Sequence, residues 1–131
     1  MPLATQLNLP LDNEIGTLAR LCRDLANGGV NLLAIDAPEA GSTGGIRLLV
    51  VNRELAVRAL SKAGYLFTEQ QVVFVELTNR PGALARAVEK LAKARIDIKY
   101  AYATSSPRGR KAAAVVSVGA NDLARAARLL G

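Results

Sequence analysis

The chain is predicted to be an α+β protein built from two copies of one βαββαβ unit, the second copy lacking its last strand. Three observations predict this. The stretch NEIGTLARLCRDLANGGVNLLAI, starting at residue 13, lies without a gap over NRPGALARAVEKLAKARIDIKYA, starting at residue 79, an offset of 66 (79 − 13). Identities fall at Asn13/Asn79, Gly16/Gly82, Leu18/Leu84, Ala19/Ala85, Arg20/Arg86, Leu25/Leu91 and Ala26/Ala92, and Val30/Ile96 and Asn31/Asp97 are close matches. The hydrophobic period changes from two to 3.6 and back in the same order in both halves. Half of the 131 residues are apolar but only five are aromatic, so a compact core must be built from Leu, Val, Ile and Ala.

Each copy opens with a strand, TQLNLPL in the first and VVFVEL in the second. A helix follows, with Leu18, Leu21, Cys22 and Leu25 forming one stripe and Leu84, Ala87, Val88 and Leu91 forming its counterpart. Gly28 and Gly29 close the first of these helices. Next come the strands VNLLAID and IDIKYAYAT, then the loops PEAGSTGG and SSPRGR, then the strands IRLLVV and AAAVVSV. Each unit continues into a second helix, RELAVRALSKAG or NDLARAARLLG, and Asn121 or Asp122 is expected to cap the latter. YLF at 65–67 is expected to be the fourth strand of the first unit, with TEQQ linking the halves. In the second copy the chain stops at Gly131, where that strand should begin. The expected units are therefore 1–68 and 72–131.

The net charge of +6 is unevenly placed. Residues 1–66 carry six Lys/Arg and six Asp/Glu, whereas residues 67–131 carry eleven against five. Such an excess marks either an anionic partner or a solvated basic face with a basic loop. The single cysteine, Cys22, cannot make an internal disulfide and reads as a reduced core residue. No apolar run is long enough to span a bilayer, and MPLATQLNLP has neither a basic n-region nor an apolar h-region, so the expected location is the cytoplasm.

The turn between the first strand and helix of each copy carries the candidate chemistry. In NRPG, Pro81 fixes one backbone angle and Gly82 frees the next, so the strand can turn sharply into the helix. Lacking a Cβ, Gly16 and Gly82 let another group approach the backbone. The first amides of the helix have no intrahelical acceptors and sit at the positive end of its dipole, where carboxylate or phosphate binds. Asn13 and Asn79 add a side-chain amide there, and Asn31 and Asp97 recur 18 positions further on (31 − 13 and 97 − 79). A tight turn with no ligand is the competing reading, and for Asn31 and Asp97 a plain turn residue before a strand.

The βαββαβ order, the glycine after the first strand, the Ala/Leu helix and the strand starts Val-Asn-Leu and Ile-Asp-Ile resemble the ACT domain. NRPGALARAVEKLAKARIDI carries the resemblance most strongly and NEIGTLARLCRDLANGGVNL is similar to a second, divergent copy; the whole chain is similar to free-standing tandem-ACT proteins of bacteria. The resemblance implies two ferredoxin-like units side by side, an eight-stranded antiparallel sheet with helices on one face, and an amino-acid ligand where units meet. By position it implies ligand-binding roles for Asn13, Glu14, Ile15, Gly16, Thr17, Leu18 and Asn31, and for Asn79, Arg80, Pro81, Gly82, Ala83, Leu84 and Asp97. Ile15 stands where the family has proline, which is expected to loosen the first turn. Asp97 stands where it has Asn, and its charge would repel a ligand carboxylate and attract an α-amino group. The Asn13/Asn31 pair is therefore favoured. The resemblance also implies a regulatory protein without a cofactor, and the incomplete second unit points to a homodimer that covers its edge.

An enzyme is not expected: there is no histidine, no catalytic carboxylate cluster and no metal-ligand spacing, and neither loop has the GK[ST] of a phosphate loop. Nucleic-acid binding is a rival, since RNA-recognition motifs share the strand order, and SSPRGRK could touch phosphate. Those motifs stack bases on aromatics in the first and third strands, where this chain has only Phe74. A dimerisation module with no ligand is the third reading.

Overall fold

The computed structural model describes residues 2–105 and 108–131, so residues 106 and 107 of the predicted loop SSPRGR lie outside the described residues. In chain order the elements are β1 Leu3–Leu9, α1 Thr17–Asn27, β2 Leu32–Asp36, β3 Ile46–Val50, α2 Arg53–Lys62, β4 Thr68–Thr78, α3 Ala83–Lys93, β5 Ile98–Ser105, β6 Lys111–Val118, a 3-10 turn Ala120–Asp122 and α4 Leu123–Leu130. The architecture is α+β, with antiparallel strand pairs and two helices for each repeat. Among the described residues there are six strands, not the eight expected.

The chain divides into two compact units, Thr5–Gln70 and Gln71–Gly131 together with Met1–Ala4. In the first unit β3 pairs with β1 from Gln6↔Leu49 to Leu9↔Ile46 and with β2 from Leu32↔Val50 to Asp36↔Arg47. Alternation then decides the faces. Leu7, Leu9, Ile46 and Leu48 point to the helices and are sealed by Leu21 and Leu25 of α1 and by Ala56 and Leu60 of α2. On the opposite face the buried amide of Gln6 donates to Asn8 at 2.7 Å and Asn8 donates to Gln70 at 2.9 Å. Arg47 and Asp36, directly opposite in register, form a 2.6 Å ion pair.

Helix ends follow local chemistry. Asn52 caps α2 by accepting from the Leu55 amide at 3.1 Å. α1 ends at Gly28, Gly29 turns left-handed (φ 75°), and the Val30 N–H returns to the Leu25 carbonyl at 2.9 Å. Gly28 also lets α2 approach, because a Cβ there would lie 2.6 Å from that of Ala59. The second copy repeats this ending without glycine: Arg95 adopts φ 57°, and Ile96, buried, donates back to Leu91 at 3.0 Å. A left-handed arginine costs about 1–2 kcal/mol, and burying Ile96 offsets it.

The second unit packs Val73 and Val75 of β4, Leu91 of α3, Val116 and Val118 of β6 and Ala126 of α4 around one core. β6 pairs with β4 from Val73↔Val116 to Thr78↔Lys111, and with β5 on its other side.

Five expectations change. YLF at 65–67 is not a strand; Tyr65 and Phe67 pack against the first core. TEQQ is not a linker but the start of β4, whose Thr68–Gln70 portion belongs to the first unit. The second unit does not end for want of a strand, because the start of the chain fills that place: Phe74 donates to the Pro2 carbonyl at 2.6 Å and Leu3 packs into the second core. Asp122 makes no side-chain cap to α4; its carboxylate accepts from Arg125 at 2.9 Å instead. Cys22 is half-buried beside the fully buried Leu21 and Leu25 rather than within the core itself.

Tyr65, in the segment that follows α2, ties that segment to α1 by donating to Asp24 at 2.7 Å. Burial, and then this hydrogen bond to a carboxylate, push its phenol up to about 12 from 10.0. The folded state holds the proton more tightly than the unfolded state, so this stabilisation is present below pH 10.0 and is lost as pH rises to about 12. Tyr65→Phe should cost about 1–2 kcal/mol at neutral pH. In urea melts across that window it should also remove part of the alkaline loss that the parent shows.

Candidate ligand-binding site

The two strand-to-helix turns are built alike, bond for bond. Glu14 N–H donates to Asp12 carbonyl at 2.9 Å, Thr17 to Glu14 at 3.0 Å and Arg20 to Gly16 at 3.0 Å. Sixty-six positions on, Arg80 donates to Thr78 at 2.8 Å, Ala83 to Arg80 at 3.2 Å and Arg86 to Gly82 at 2.9 Å. Gly16 has φ 87° and Gly82 φ 88°, a left-handed conformation that favours glycine. With Ile15 in place of proline the first turn keeps the same bonds and dihedral as the second, and the Ile15 side chain is wholly exposed. Neither helix start has a side-chain cap or an acidic residue in its first turn, so Leu18, Ala19, Leu84 and Ala85 present their amides with no carboxylate or hydroxyl of their own helix to receive them.

The paired asparagines do a job that the repeat alone does not reveal. Asn13 donates its side-chain amide to the Ala37 carbonyl at 3.2 Å, and Asn79 donates to Gly109 at 2.8 Å while its backbone N–H donates to Arg110 at 2.8 Å. Each pins the loop between the second and third strands of its unit against the turn. Asn31 and Asp97 are both exposed and immediately precede β2 and β5. The Asn31 carbonyl accepts from Val51 at 3.0 Å, and the Asp97 carboxylate pairs with Lys99 at 3.0 Å, which offsets the charge expected to repel a carboxylate.

A cavity of about 350 Å³ lies against the second turn. Asn79, Arg80, Ala83 and Leu84 form one wall, and Ala103 and Thr104 of β5 with Ala112 and Ala113 of β6 form the other. Four predicted residues thus meet in one hollow, with Pro81 and Gly82 completing their turn. In the first unit a cavity of about 440 Å³ is lined by Pro10, Leu11, Asp12, Ser42 and Gly44, before the turn, and by none of the predicted residues. Asn31 and Asp97 line neither. Sequence reasoning missed Thr78 and Thr104; their only signal was a hydroxyl residue at the end of each neighbouring strand. Among the described residues no group of His, Cys, Asp or Glu could hold a metal ion, and no helix is long and apolar enough to cross a membrane.

These paired units, each with a glycine-opened helix start, define the class. The chain belongs to the ACT domain pair family, whose model matches residues 3–129, and ACT domains are regulatory modules. It is similar to a Bacteroides thetaiotaomicron protein of known structure, with 27% identity, a TM-score of 0.83 and coverage of 98% of this chain and 87% of that one. The fold also matches the regulatory subunit of aspartate kinase from Thermus flavus (16% identity, TM-score 0.62, 99% and 91% covered). The same regulatory subunit from Thermus thermophilus, in a ligand-free form, matches with 18% identity, a TM-score of 0.63 and 98% and 90% covered. No curated protein matches the chain significantly in sequence.

Proposed function

We propose that this ACT pair is a non-catalytic sensor that binds an amino acid at its strand-to-helix turns. The observation that carries the proposal is the cavity beside Gly82, open to an uncapped helix start. The ligand carboxylate accepts from the first amides of α3, where the helix dipole favours negative charge. Its side chain lies along Leu77, Leu84 and Ala103, a small apolar surface that selects against bulky or charged side chains. Its ammonium group is met by the polar residue before the second strand of a facing ACT unit, Asn31 or Asp97, and a homodimer can supply that unit. Binding then changes how units pack, and a partner protein reads the change.

Thermal melting against the twenty amino acids tests this reading. A ligand held by the folded state alone at a hundred times its Kd stabilises by about 2.7 kcal/mol, which raises Tm by several degrees. We expect one or a few amino acids to do so, and Gly82→Val to abolish the response of the second site in a protein that still folds. Gly16→Val should do the same wherever the first turn binds. A flat response across the panel at millimolar concentration would reject the sensor.

A further inference from the structure

Among the described residues Arg95 is the only non-glycine with a left-handed backbone (φ 57°). The turn itself is needed, because it carries the chain from α3 towards β5 and buries Ile96. The arginine is not. The first repeat makes the same turn with Gly29 at φ 75°, where no side chain strains the backbone. An L side chain held in this conformation costs stability, and strain of that kind collects at functional positions. The Arg95 side chain returns nothing to the fold that holds it. It is exposed and, among the described residues, has neither an ion pair nor a hydrogen bond.

Its neighbours are cations too. Lys90 and Lys93 stand in the last turn of α3, both exposed and both without an ion-pair partner among the described residues. Arg125 of α4 donates to the Ala94 carbonyl at 3.3 Å, which brings its guanidinium beside the residue before Arg95, and to Asp122 at 2.9 Å. Of the acids on these segments, Asp122 is thus taken, Asp97 is paired with Lys99 at 3.0 Å, and Glu89 is left. A helix C-terminus favours cations in any protein, and that accounts for Lys90 and Lys93. It does not account for Arg95. Nor does the fold demand the cluster, because α1 ends in the same way with Asp24, Asn27 and Gly29 at the matching positions (90 − 66, 93 − 66 and 95 − 66), a charge of −1 against +3.

We infer that this corner of the second unit, where α3 gives way to β5 beside the start of α4, binds the phosphate backbone of duplex DNA without regard to sequence. The surface offers charge and little else. Ala92 and Ala124 are the exposed apolar residues beside the cations, and the exposed leucines, Leu84 and Leu129, lie towards the other end of each helix. A bilayer or a protein partner needs apolar area to bury. Duplex DNA, with one charge for about every 1.7 Å, is held by cations alone through counterion release. None of the five aromatic residues lies on α3 or α4, so the corner has no platform for unstacked single-stranded bases. None of the four cations lines the amino-acid cavity, and a flat amino-acid panel leaves the inference standing.

Fluorescence anisotropy of the full chain with a labelled duplex, from about 50 to about 200 mM salt, tests it. Affinity should fall with salt at a log–log slope of about −3.6, about 0.9 for each of the four cations, and two unrelated sequences should bind alike. Arg95→Gly should shrink that slope by about one, yet leave Tm the same or higher, an outcome that a structural role for the arginine forbids. Lys90→Glu, Lys93→Glu and Arg95→Glu together should cost at least about tenfold in affinity. The control Arg23→Glu, Arg58→Glu, Lys62→Glu makes the same change in net charge at exposed positions of the first unit and should cost less than about threefold. Equal losses in the two triple variants would assign binding to overall charge and overturn the inference. So would Arg95→Gly with a lowered Tm and unchanged binding, or no binding of DNA at the lower salt.

Discussion

Valine at position 45 should cost the first unit more than about 4 kcal/mol, enough to leave it largely unfolded in mild urea. Two effects add. Gly45 has φ +64°, where an L side chain is strained by about 1–2 kcal/mol. A Cβ there would also lie 2.1 Å from the Leu9 carbonyl oxygen and 3.0 Å from its carbon. Those atoms are backbone and have little room to yield. Leu9 pairs with Ile46 in the ladder, both side chains are fully buried, and the Leu9 carbonyl accepts from Leu11 at 2.7 Å. Moving the carbonyl aside would shift the β1–β3 register at its core end. Gly64→Ala is the control: Gly64 has φ +86° with nothing within 4 Å of the added Cβ, so it should cost only the strain, about 1–2 kcal/mol. Equal losses in the two variants, measured by urea denaturation, would show that the close approach at Gly45 is unimportant.

Leu91→Ala should be the most damaging core truncation in the second unit, at about 4 kcal/mol. Leu91 is fully buried in a cluster whose other buried members, Val73, Val75, Ile96, Val116, Val118 and Ala126, are short or β-branched. Stiff valines and an alanine cannot swing into the space it leaves, so most of the cavity persists. The matching Leu25→Ala in the first unit removes the same atoms from among Leu7, Leu9, Leu21, Leu48 and Leu60, which have rotamers to spare. It should cost less, nearer about 3 kcal/mol. Denaturant midpoints of the two variants give the comparison directly, and a larger loss at Leu25 would contradict this account of the two cores.

The repeat was legible because it is written in local terms. Helix stripes, strand alternation and the glycine at each strand-to-helix turn need only neighbours a few residues away. The matching dihedrals at Gly16 and Gly82 follow from that shared local pattern. What Asn13 and Asn79 do was half legible: their repetition marked them, but their acceptors, Ala37 and Gly109, lie 24 and 30 residues away. Arg95 in a left-handed conformation was not legible at all, since the residue type argues against it and the burial of Ile96 compels it.

By itself, then, the sequence determined the α+β class, the duplication and the two turns, because each is dictated by backbone preference and apolar spacing over short stretches. Tertiary structure alone decided that Leu3, at the opposite end of the chain, enters the second core, that TEQQ becomes strand, and that a cavity opens beside Asn79. Those outcomes turn on which distant segment best covers an exposed sheet edge or fills a particular hollow. Such a competition is settled by burial and hydrogen bonding between remote parts of the chain, and no local window of residues contains its terms.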